Sequence, residues 1–154
     1  MGQLSAQSGA QATAQTHLSV FVDSSVWFAA ANIRERKNAA AKRLLANLGP
    51  LVTTDHVLVE SWLIMQRQIH RRAAEGFWEG MRAGLAHVEK VGEVDIEAAW
   101  AIGAAFPDQE FSIVDRTSFA VMERLGLTRV ASFDSDFAVY RYGRNRERAF
   151  EVLR

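Results

Sequence analysis

The sequence predicts an α/β domain in which helices cover both faces of a mainly parallel sheet, a three-layer α/β/α sandwich. Two observations lead there. Short runs rich in Val, Phe and Thr alternate with longer stretches of helical period, the pattern of strands joined by helical crossovers. Hydrophobic residues make up 49% of the 154 and only two are proline, which suits one regular core with few breakers.

LSVFVD, Leu18–Asp23, is β-branched and aromatic and reads as a buried strand. SSVWFAAANIRERKNAAAKRLLANLG follows as helix with a break expected near Asn38, and Gly49-Pro50 stops it. PLVTT is a short strand, after which Thr54 or Asp55 can cap HVLVESWLIMQRQIHRRA, whose apolar face runs through Val57, Leu58, Trp62, Met65 and Ile69. Glu75 to Ala86 is expected as a further helix, and HVEKVGEV holds a strand. Asp95 is expected to cap IEAAWAIGAAF, which Pro107 ends. FSIVDRTSFAVMERLG is amphipathic, with Phe111, Val114, Ser118, Val121, Met122 and Leu125 on one stripe and Gly126 at its end. TRVASFD is a strand, and FEVLR a last extended piece. Neither repeat nor linker divides the chain, so one domain is expected over residues 18–154. Residues 1–17, rich in Gln, Ala, Ser and Thr, lack the charged start and apolar segment of a secretory signal and read as a disordered leader.

Composition excludes several classes of function. Cysteine is absent, which removes disulfides, thiol nucleophiles and thiolate metal sites and fits a reducing cytoplasm. No apolar run approaches the roughly 18 residues of a membrane span. Zero net charge speaks against a protein coated in positive charge for nonspecific nucleic-acid binding. Cations are instead local: Arg34 and Arg36, Arg71 and Arg72, and five arginines between Arg141 and Arg154, Arg144 among them. The four histidines form no HxxxH pair, and no phosphate-binding glycine loop is present.

The acids are the informative residues. In an open α/β sheet, ligands bind beyond the carboxyl ends of the strands. Asp23 ends the first strand, Asp134 with Asp136 ends the RVASF strand, Glu60 lies early in the helix after VTT, and Asp115 near the start of its own helix. Singly each has an ordinary role: Asp23 as a helix cap, Asp134 or Asp136 in a turn, Asp115 against a helix dipole, Glu60 in a surface pair. Together they bring four carboxylates to one edge, an arrangement tolerated when a divalent cation sits among them. All-carboxylate ligation without Cys or His suits the hard ions Mg²⁺ or Mn²⁺.

The ordered motifs VFVDSSVW, VTTDHVLVESW, FSIVDRTSFAVMERLG and VASFDSDF resemble those of PIN domains, and more narrowly of the toxin ribonucleases of VapBC toxin–antitoxin modules. The resemblance covers about Val20 to Phe137. It implies a sheet of about five parallel strands between helices and a Mg²⁺- or Mn²⁺-dependent endoribonuclease acting on a structured RNA, either tRNA or a ribosomal RNA loop. Asp23 and Asp115 would be direct metal ligands, Glu60 would complete the acidic pocket, and Asp134 or Asp136 would supply the fourth acid, Asp134 being favoured because it ends the strand. Ser25 would hydrogen-bond Asp23, and Thr117 would act in a similar supporting role. Arg71, Arg72, Arg141 and Arg144 are candidate RNA contacts. The resemblance further implies a homodimer and a cognate antitoxin that inserts into the acidic groove. A non-catalytic module of the same fold, binding RNA or protein, is the alternative.

Overall fold

In the computed structural model, residues 18–154 are described; the leader expected at residues 1–17 lies outside them. Five strands form one sheet: β1 Val20–Val22, β2 Leu51–Thr54, β3 His87–Glu89, β4 Arg129–Ala131 and β5 Glu151–Leu153. Every pairing is parallel, in the order β3-β2-β1-β4-β5. Seven helices connect them: α1 Ser24–Ala31, α2 Asn38–Asn47, α3 Asp55–Gln68, α4 Arg71–Arg82, α5 Glu93–Ala105, α6 Ile113–Leu125 and α7 Asp136–Val139. The result is the three-layer α/β/α sandwich that the alternation of elements predicts.

β1 is central and wholly buried, as its VFV sequence dictates. The chain builds outward from it to β2 and β3, then returns to lay β4 on its other edge. The order therefore reverses between β1 and β4, and the crevice at their carboxyl ends is where a ligand site is expected. Asp23 leaves β1 at that point, and its amide donates to the Ala131 carbonyl of β4 at 3.0 Å.

Local chemistry explains where the elements differ from their sequence expectation. The break at Asn38 is real, and its amide donates to the carbonyls of Ala29 and Ala30 at 2.7 and 3.2 Å, closing the end of α1. The helix expected through Ala73 instead stops at Gln68, because the His70 ring accepts the Ala73 amide and starts a new helix. That helix, α4, begins four residues ahead of the expected Glu75 and ends at Arg82. Thr54, not Asp55, caps α3 by accepting from Val57 N at 3.0 Å. Asp95 does not cap α5. Gly92 does, and Asp95 sits one turn inside, accepting from Gly92 N at 2.9 Å. Its other role, a two-pronged ion pair with Arg124 at 2.8 and 3.0 Å, joins α5 to α6.

α6 is buried over much of its circumference, Thr117 through Met122 without interruption. Phe119 is fully buried, stacks on Tyr140 at 4.2 Å and meets Phe111 and Phe137 edge-on at 5.2 and 5.0 Å. This aromatic cluster exceeds the single stripe expected, and it fixes the amino-terminal end of α6 against the sheet. Asp115 is carried on that end.

Candidate active site

The crevice is a cleft of about 450 Å³ lined by acids from four separate segments: Asp23, Glu60, Asp115 and the pair Asp134 and Asp136. No arginine or lysine lines it. Glu110 and Gln68 line it as well, and Ser24, Ser25 and Ser112 supply hydroxyls.

Hydroxyl and amide donors hold Asp23, Glu60, Asp115 and Asp134, each chiefly through one carboxylate oxygen. Asp23 is buried, and its Oδ2 accepts from Ser25 Oγ at 2.7 Å and Ser132 Oγ at 2.9 Å; Oδ1 receives only a 3.5 Å contact from Ser24. Asp23 also caps α1 through Ser25 N, its ordinary role, while lining the cleft. Glu60 Oε1 accepts from Ser24 Oγ at 2.6 Å. Asp115 is the third helical residue in a capping box, its Oδ2 accepting from Ser112 N and its amide donating to Ser112 Oγ, both at 3.0 Å. Asp134 Oδ1 accepts from Asp136 N at 3.1 Å. Such one-sided anchoring orients a carboxylate while keeping an oxygen for a ligand.

Oxygens of Asp115, Asp134 and Asp136 lie within 4.8 Å of one another. Burial first, then hydrogen bonding to the neighbouring Asp136 carboxyl and the charge of Asp23, push the Asp115 carboxyl up to about 7. Burial raises Asp23, Glu60 and Asp136 as well, and nearby acids add to the last two. The cluster is therefore short of positive charge, and an all-oxygen donor set of this kind fits a hard divalent cation.

The remaining sequence candidates are dispersed. Thr117 is buried; its hydroxyl donates to Val114 O at 3.1 Å and lies 3.4 Å from His56 Nδ1. Arg71 pairs with Glu75 at the surface of α4, and Arg72 and Arg144 are exposed. The Arg141 guanidinium donates to the carbonyls of Ala138, Val139 and Tyr140, closing α7. Ser132 was not among the candidates. It binds Asp23, and it also accepts from Asp134 N at 3.0 Å, joining the acids of β1 and β4. Its signal in sequence is a serine at the end of the VAS strand, two residues before an acid.

Comparison with known proteins agrees with this geometry. The PIN domain family matches residues 20–142. The 23S rRNA-specific endonuclease VapC20 of Mycobacterium tuberculosis is 38% identical over 120 residues, covering 77% of this chain and 92% of that protein. The crystal structure of the same toxin, described as cleaving the sarcin-ricin loop, superimposes with a TM-score of 0.73 at 36% identity, over 77% of this chain and 92% of its own. A toxin–antitoxin complex from Klebsiella pneumoniae shares the fold alone, with a TM-score of 0.58 at 11% identity over 88% of this chain and 96% of that one. The protein belongs to the PIN-domain family and, within it, to the VapC-type ribonuclease toxins.

Proposed function

We propose that the protein is a divalent-cation-dependent endoribonuclease toxin that cuts a ribosomal RNA loop. The observation that carries this reading is the anchoring pattern: six acids line one cleft, and four of them, Asp23, Glu60, Asp115 and Asp134, are held by hydroxyl or amide donors chiefly through one oxygen each. The 23S rRNA specificity of the relative at 38% identity favours a ribosomal loop over tRNA.

Asp115, Asp134 and Asp136, whose oxygens lie together, and Asp23, which lines the same cleft, would hold Mg²⁺ or Mn²⁺. When bound, such an ion neutralises the phosphate and lowers the pKa of a water that attacks phosphorus. Glu60, raised by burial, has the placement and the basicity to accept a proton from that water. Ser25 and Ser132 orient Asp23 by donating to its Oδ2 and oppose the upward push of burial on its carboxyl. Arg71, Arg72 and Arg144 would attract the RNA backbone from outside the acidic zone.

A cognate antitoxin and a homodimer complete the reading. Exposed Trp100, Ile113, Val59 and Leu63 give α3, α5 and α6 an apolar outer surface suited to a protein partner. Among the described residues no helix is long and apolar enough to cross a membrane, and a cytoplasmic site of action is proposed.

The test is incubation of the purified protein with ribosomes and, separately, with total tRNA, followed by primer extension. A single cut in a 23S rRNA loop is expected. Cleavage of tRNA with intact ribosomal RNA would reverse the assignment of target.

A further inference from the structure

The acidic cleft has a polar neighbour of the opposite character. Gln68, in the last turn of α3, lines the cleft and also a second hollow of about 510 Å³. This hollow lies where the loop after α1 meets the junction of α3 and α4. Asn32, Ile33, Arg34, Ile69 and His70 line it with Gln68, and no acid does.

Its polar groups are committed to donating. Asn32 Oδ1 already accepts from Arg34 N at 3.1 Å, which leaves the side-chain NH₂. His70 Nδ1 accepts from Ala73 N at 3.0 Å, so the neutral ring carries its proton on Nε2. The Arg34 side chain is exposed and, among the described residues, forms no ion pair. Three sets of donors without an acidic acceptor match the oxygens of a phosphodiester. The adjoining cleft has the reverse composition, carboxylates with no lining cation, and by itself repels a polyanion.

We propose that this hollow holds the phosphate of a nucleotide flanking the scissile bond, so that Arg34, His70 and Asn32 position the RNA strand across the acids. The proposal rests on the ribonuclease reading. Gln68 marks the passage from one site to the other. Arg34 and His70 are positioning residues: they hold the strand and leave the chemistry to the carboxylates.

The test uses the full chain and a synthetic stem-loop carrying the sarcin-ricin sequence. Parent protein is compared with Arg34→Ala, Arg34→Lys and His70→Asn, the last keeping a residue that caps α4 while replacing the ring Nε2 donor with a shorter amide that reaches less far into the hollow. Arg34→Ala is expected to raise KM about tenfold with kcat within about twofold, and to flatten the dependence of log KM on log salt by about 0.7. Arg34→Lys restores most of the affinity, and His70→Asn raises KM about threefold. Unchanged KM and salt dependence in Arg34→Ala, with an active parent, overturns the proposal and leaves the ribonuclease reading intact. A parent that neither cuts nor binds RNA overturns both.

Discussion

Because burial in the cleft favours the protonated forms of its acids, the metal-free protein is expected to lose stability as pH rises, and a divalent cation to restore it. Asp115 shows the size of the effect. Its carboxyl titrates near 7 in the fold against 3.8 in the unfolded chain, a difference of about 3 units. At about 1.36 kcal/mol per unit the ceiling is ~4 kcal/mol, and the solvent that reaches the cleft reduces this to ~2 kcal/mol. Below about pH 4 the group is protonated in both states and costs nothing. Between about pH 4 and 7 the unfolded chain ionises first, so stability falls; above about 7 the loss is complete. Asp23 and Glu60, also raised, act in the same direction. Asp95 and Glu89 are lowered by Arg124 and His87, so their contribution is lost only toward acid, below this window. Thermal unfolding in EDTA, followed by circular dichroism, is expected to give a Tm about 4–8 °C lower near pH 8 than near pH 5. Added Mg²⁺ should raise Tm strongly at the higher pH and weakly at the lower one. Asp115→Asn should flatten both responses. A Tm that rises from about pH 5 to 8 in EDTA, or a Mg²⁺ shift equal at both, refutes the reasoning.

Three further outcomes follow from other parts of the structure. Asp136→Asn removes an acid that adds to the effect of burial on Asp115, so the Asp115 carboxyl, titrated by ¹³C NMR, should move down from about 7; an unmoved titration would contradict a contribution from Asp136. Ser132→Ala deletes the hydroxyl that bonds both Asp23 and Asp134 N. It is expected to lower kcat about tenfold, a cost of ~1.4 kcal/mol, while Tm falls by only a few degrees. Arg124→Ala strands the buried Asp95 carboxylate and should cost ~3 kcal/mol in urea unfolding without altering cleavage; a loss under ~1 kcal/mol would show the pair to be ornamental.

Much of the site was legible in sequence because strand ends are legible. Asp23 follows a run too apolar and β-branched to be anything but a buried strand, and the parallel topology then sends it to the ligand edge. Asp134 was found in the same way. Asp115 was readable as an acid beside an apolar face, and the depth of that face is set by Phe119 and Tyr140, which meet only in the fold. Ser132 escaped because its importance lies in contacts 109 residues apart, with Asp23. The end of α3 escaped for a different reason: the helical apolar period runs on through Ile69, and only the His70–Ala73 cap shows that a new helix begins there. The same cap orients the donor that faces the second hollow.

The most direct measurement is cleavage of the 23S rRNA loop by purified protein in Mg²⁺, in EDTA, and in EDTA followed by excess Mg²⁺, beside Asp23→Asn and Asp115→Asn. Cutting is expected in Mg²⁺, none in EDTA, recovery on adding the ion back, and a loss of about a thousandfold in either variant. Cleavage that persists in EDTA, or that survives either substitution at the parent rate, would contradict a carboxylate-held cation at the centre of this fold.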